Sequence, residues 1–119
     1  MVMSELWVTI ATENVETLRD FYSCVLNTQA QREIPGVYAE FVIGGLRLGL
    51  FRPRDRQEFH SSTPGAMSLC LEVEDIEDAI IGLSHLGYPP PGAIQTASHG
   101  REIYAYDPDG NRLIIHENL

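Results

Sequence analysis

The chain has 119 residues, of which 44% are hydrophobic, enough for one compact domain and too few for two independent cores. Its 17 acidic residues, set against eight arginines and no lysine, give a formal charge of −9, which argues against nucleic acid or an anionic membrane as partner. No run of about 18 apolar residues occurs, and the opening MVMSELWVTI lacks the basic start and long apolar stretch of a signal peptide, so a cytoplasmic protein with no membrane partner is expected.

Taken in order, LWVTIA alternates as a strand, with Val8 and Ile10 on one face and Trp7, Thr9 and Ala11 on the other. Asn14 then caps a helix whose apolar stripe is Val15, Leu18, Tyr22 and Leu26. VYAEFVIGG, which contains Glu40, and GLRLGLF read as strands; the second sets Leu46, Leu48 and Leu50 against Arg47, Gly49 and Phe51. RPRDRQEFHSSTPG is polar and rich in turn formers and reads as a linker, its Arg52, Arg54 and Arg56 facing water rather than forming an anion site, the weaker reading.

The same design returns in the second half. Leu69, Leu71 and Val73 alternate with Ser68, Cys70 and Glu72, and Asp75 caps a helix with the stripe Ile76, Ala79, Ile80 and Leu83. The acidic run EVEDIED suits a helix start better than a calcium loop, which needs its glycine and closing Glu at set positions. In YDPDGNRLIIHE, Pro108 presets φ and Gly110 permits φ > 0, so a turn leads into a last strand with Leu113 and Ile115 on one face and Arg112, Ile114 and His116 on the other.

Asn14 and Asp75, Val15 and Ile76, and Glu16 and Glu77 keep one constant offset. The chain therefore reads as two βαβββ modules, about 5–52 and 66–118, joined by a linker at about 53–65. Neither module is large enough to close a core alone, so the two are expected to fold together in the α+β class.

The aliphatic strand faces must lie on the helices; the opposite, mixed faces suit the lining of a pocket, the plainer alternative being a wet outer surface or a dimer contact. The candidate ligand-binding residues are Trp7, Thr9, Glu40, Arg47 and Phe51 in the first module, and Ser68, Cys70, Glu72, Tyr104, Arg112, Ile114 and His116 in the second. Tyr38 and Tyr106 would add aromatic surface, and Glu40 and Glu72 countercharge. Arg47 and Arg112 could hold an anionic group or pair with Glu40 or Glu72. His116, Glu72, Glu40 and His99 are the groups from which a displaced metal site or an acid–base pair could be assembled. Cys70 as a nucleophile served by His116 is a weaker reading, because reactive thiols sit near positive charge. Cys24 and Cys70 fit no disulfide framework or zinc spacing and are expected reduced and buried; His60 and His85 receive no role.

Phe21-Tyr22 with Val25-Leu26 on the first helix, and Asp107-Pro108-Asp109-Gly110-Asn111 before the last strand, resemble the vicinal oxygen chelate superfamily of glyoxalases, bleomycin-resistance proteins and extradiol dioxygenases. The resemblance covers nearly the whole chain and implies a single glyoxalase-like domain over 1–119, a mixed-sheet fold with a cleft, and a homodimer. In metal-dependent members a divalent ion is held by His, Gln or Glu from four strands, and those positions fall here on Trp7, Gly49, Ser68 and Ile114. None is a competent ligand, so no metal or cofactor is expected. The resemblance then implies a metal-independent small-molecule-binding protein, like the antibiotic-sequestering members, that takes an aromatic or cationic ligand. The alternatives are a glyoxalase-like lyase, isomerase or dioxygenase with a displaced metal site, and an interaction module with a vestigial cleft.

Overall fold

Capping and alternation give the two halves one element order. In the computed structural model, which describes residues 1–55, 57 and 67–119, the first half runs β1 (Trp7–Ala11), α1 (Val15–Val25), β2 (Arg32–Ile34), β3 (Tyr38–Ile43) and β4 (Leu46–Phe51). The second runs β5 (Leu69–Glu72), α2 (Ile76–His85), β6 (Gln95–Ala97), β7 (Gly100–Tyr106) and β8 (Arg112–Asn118). Most of the expected linker, with Arg56 and His60, lies outside the described residues.

The chain divides into two compact units, Met1–His60 and Ser61–Leu119. Each holds one helix and one four-stranded sheet, in the orders β1-β4-β3-β2 and β5-β8-β7-β6. β1 and β4 run parallel, as do β5 and β8, and the remaining neighbours are antiparallel. This is the expected α+β pattern of two βαβββ modules.

Both helix starts are made as the sequence suggests. The Asn14 side chain accepts from the Thr17 amide at 3.1 Å, and Asp75 accepts from the Asp78 amide at 3.1 Å. Glu117 of β8 adds a second cap by accepting from the Ile76 amide at 2.8 Å. The EVEDIED run is therefore helix-start chemistry, with Arg101 clamping Glu77 at 2.7 and 2.9 Å. Hydrogen bonding to Arg101 holds the Glu77 carboxyl below its ordinary value. The Ile76 amide, followed by Arg101, does the same for Glu117.

The cores lie between helix and sheet. In the first unit Val15, Leu18, Phe21 and Tyr22 of α1 are buried, as are Ala39, Phe41, Leu48 and Leu50 of the sheet. In the second, Ile76 and Leu83 of α2 are buried along with Ile103, Ala105, Leu113 and Ile115. On the aliphatic faces Leu48, Leu50, Leu113 and Ile115 are buried, Val8, Ile10, Leu69, Leu71 and Val73 are half-buried, and Leu46, beside the Gly44-Gly45 turn, is exposed. The expected burial of the cysteines is corrected: Cys24 and Cys70 are both exposed, Cys24 because it lies off the apolar stripe of α1 and Cys70 because it lies on the mixed face of β5. Among the described residues no helix is long and apolar enough to cross a membrane.

The turn before β8 is built around Asp107, which is buried. Its Oδ1 accepts from the amides of Asp109 and Asn111 at 2.9 Å each, and Oδ2 accepts from Asn111 Nδ2 at 2.8 Å. Gly110 takes φ 85°, and its amide donates to the Asp107 carbonyl at 2.9 Å. Asp107→Ala removes a buried, charged acceptor from three part-buried donors, and urea unfolding should show a loss of about 2 kcal/mol.

Candidate functional site

Pairing register fixes which residues share a sheet face. In the first unit Thr9, Gly49 and Glu40 form one row, with Trp7, Arg47 and Val42 on one side of it and Ala11, Phe51 and Tyr38 on the other. Glu40 is buried and accepts from the Tyr38 hydroxyl at 2.9 Å and from Arg47 Nη1 at 3.1 Å. Gly49 makes room for this, since a Cβ there would come within 3.1 Å of the Tyr38 hydroxyl oxygen. Burial, and then the bond to Glu40, push the Tyr38 phenol up to about 12. The Arg47 guanidinium also lies 5.2 Å from the Trp7 ring centroid, and the Trp7 indole N–H donates to Glu5 at 2.9 Å. Arg47 thus pairs with Glu40, one of the partners open to it from sequence, and has Glu5 at 3.9 Å as well.

In the second unit Glu72, His116 and Glu102 form one row, and Cys70, Ile114 and Tyr104 the next. Arg112 Nε donates to Ser68 Oγ at 2.7 Å, and its guanidinium lies 5.4 Å from the Tyr104 ring centroid. His116 is buried, its Nδ1 lying 2.9 and 3.1 Å from the two Glu72 oxygens and its Nε2 2.8 Å from His99 Nδ1. The two imidazoles stack, with centroids 4.9 Å apart and planes at 27°. A carboxylate can only accept, so His116 Nδ1 carries the hydrogen of that bond, and His116 Nε2 and His99 Nδ1 share one hydrogen in theirs.

All twelve candidate ligand-binding residues lie on or in line with the mixed faces, five in the first unit and seven in the second. Of the four groups suggested for a displaced metal or acid–base site, His116, Glu72 and His99 come together, whereas Glu40 is in the other unit. Sequence reasoning missed Glu102, although alternation in GREIYAY places it on the same face as Tyr104 and Tyr106. Glu102 makes no hydrogen bond or ion pair with the described residues. Desolvation, followed by the charges of Glu72 and Glu102, pushes the Cys70 thiol up, which disfavours the thiolate a nucleophile needs.

Where the resemblance expects metal ligands, the residues are otherwise engaged. Trp7 donates to Glu5, the space above Gly49 is filled by Tyr38, the Ser68 hydroxyl accepts from Arg112, and Ile114 has no donor atom. That set does not fit a divalent ion.

The sequence profile of the Glyoxalase/Bleomycin resistance protein/Dioxygenase superfamily matches residues 6–115. An NMR structure of a protein from Agrobacterium tumefaciens shares 20% identity at a TM-score of 0.81, covering 99% of both chains. The fosfomycin resistance protein of Listeria monocytogenes shares 15% at a TM-score of 0.77, over 100% of this chain and 96% of that one. Lactoylglutathione lyase from Agrobacterium tumefaciens shares 19% at a TM-score of 0.70, over 96% of this chain and 92% of its own. At such identities the likeness is one of fold. No curated protein matches the sequence. With the profile spanning both modules, the chain belongs to the glyoxalase/bleomycin resistance protein/dioxygenase superfamily.

Proposed function

We propose that this is a metal-independent small-molecule-binding protein of the glyoxalase/bleomycin-resistance type, cytoplasmic and homodimeric, which takes an aromatic or cationic ligand on the mixed faces of its sheets. The observation that carries this reading is the pair of arginine–aromatic ledges, Arg47 on Trp7 and Arg112 on Tyr104. A guanidinium held over a ring offers a flat, preset surface on which a planar ligand can stack. Trp7, Tyr104 and Tyr106 stay 37, 44 and 37% exposed, apolar surface that a bound ligand would cover. Thr9 and Phe51 extend the face of the first sheet, and Ser68, Cys70 and Ile114 that of the second, with small polar and apolar groups. Glu40 is balanced by Arg47 and Tyr38 and Glu72 is bonded to His116, so the aromatic ledges, rather than these carboxylates, carry the grip on a planar ligand.

The test is a thermal-shift titration with proflavine, a planar aromatic cation, in the presence and absence of EDTA. A ligand at 100 times its Kd stabilises the native state by about 2.7 kcal/mol, so a saturable rise in Tm that EDTA leaves unchanged is expected. Absence of a rise, or a rise that EDTA abolishes, would count against the proposal.

A second reading, a lyase, isomerase or dioxygenase of this superfamily with a displaced metal site, has one observation in its favour: the Glu72–His116–His99 array. It requires the ligand's grip to depend on the metal, which the EDTA arm measures.

A further inference from the structure

We propose that His99, Glu102 and His116 form a divalent transition-metal site at the β6–β7–β8 corner of the second sheet, oriented by Glu72. The site lies wholly within the second unit, whereas Trp7 and Gly49 belong to the first, and it adds to the ligand-binding reading a cation that the ligand's grip does not need. Ligand atoms of the three residues all lie within 4.8 Å of one another. An ion bound at about 2.0–2.1 Å in tetrahedral geometry needs donors about 3.3 Å apart. The His99–His116 separation of 2.8 Å must therefore open by about half an ångström, and the hydrogen shared in that contact must leave, either to His99 Nε2 or to solvent, as the ion takes its place.

Three features make this more than a chance cluster. Glu72 accepts from His116 Nδ1 and so turns Nε2 toward the other donors, the carboxylate–histidine arrangement that orients metal-bound imidazoles. Glu102 is paired to His116 across β7 and β8, and its carboxylate is committed to no described partner. Gly100, with φ +145°, lets the β6–β7 turn run so close to β8 that a Cβ would collide with the Glu117 carbonyl oxygen, and this close approach brings His99 over His116. Two imidazoles and one carboxylate favour zinc, nickel, cobalt or ferrous iron over magnesium or calcium, and leave positions open for water or a ligand oxygen.

The experiment is calorimetric titration of the EDTA-dialysed protein with Zn2+, Ni2+ and Mg2+. One equivalent of Zn2+ and of Ni2+ should bind with sub-micromolar Kd, and Mg2+ at least 100-fold more weakly. His99→Ala, Glu102→Gln and His116→Ala should each weaken Zn2+ binding beyond the about 10- to 100-fold loss expected of Glu72→Gln, while His85→Ala should not change it. Histidine side-chain 15N NMR of the wild type covers the case in which a variant fails to fold: of four histidines, two rings, those of His99 and His116, should shift on zinc addition. No stoichiometric zinc, or shifts confined to other histidines, would overturn the proposal. Loss of proflavine binding would not, so the two readings fail separately.

Discussion

Gly100→Ala is expected to destabilise the protein by about 3 kcal/mol or more and to abolish the proposed zinc site. Two costs add at this position. The φ of +145° is one that L side chains rarely adopt, and a Cβ would meet the backbone of β8 at Glu117 and Asn118, which cannot turn aside as a side chain can. The chain's cheapest escape is to lift the turn between β6 and β7. That breaks the Gly100–Asn118 pairing and carries His99 off His116. Urea unfolding should show the loss of stability, and the His99 resonances should lose their response to zinc. Gly82→Ala is the control: Gly82 lies in α2 with open space where the new methyl would stand, and the change should be neutral or stabilise by about 0.5–1 kcal/mol. Gly100→Ala with stability and zinc response both intact would mean that the turn does not hold His99 in place.

Glu40→Ala is expected to cost about 2–3 kcal/mol, since it leaves Arg47 and the Tyr38 hydroxyl without their acceptor at a buried site. The figure sits below that of a wholly buried pair because the Arg47 side chain is 33% exposed. Replacing the group together, as Glu40→Leu with Arg47→Leu and Tyr38→Phe, should recover most of the loss, because no unpaired polar group then remains. The comparison separates a structural carboxylate from one reserved for a ligand. If Glu40→Ala kept full stability but lost proflavine binding, Glu40 would be the ligand's countercharge.

The fold was legible because its signals are local. Asn14 and Asp75 announce the helix starts, alternation splits every strand into faces, and Asp107 to Asn111 form a turn whose residue types explain its geometry. The site was legible only as a set of faces. Which carboxylate Arg47 would choose, how Tyr38 would fill the space at Gly49, and that Glu102 stands opposite His116 all depend on strand register. Register is set by packing across the sheet, not by any one segment. The cysteines show the same limit: Cys70 reads as a small apolar residue, yet alternation with Leu69 and Leu71 puts it on the exposed face.

Binding of a planar cation to the mixed faces without a metal is read most directly through Trp7. It is the single tryptophan and lies on one of those faces, so its fluorescence reports occupancy. Titrating the EDTA-dialysed protein with proflavine should quench Trp7 emission saturably, with the same Kd after one equivalent of Zn2+ is restored. Quenching that fails to saturate, or that saturates only with the metal present, would contradict metal-independent binding.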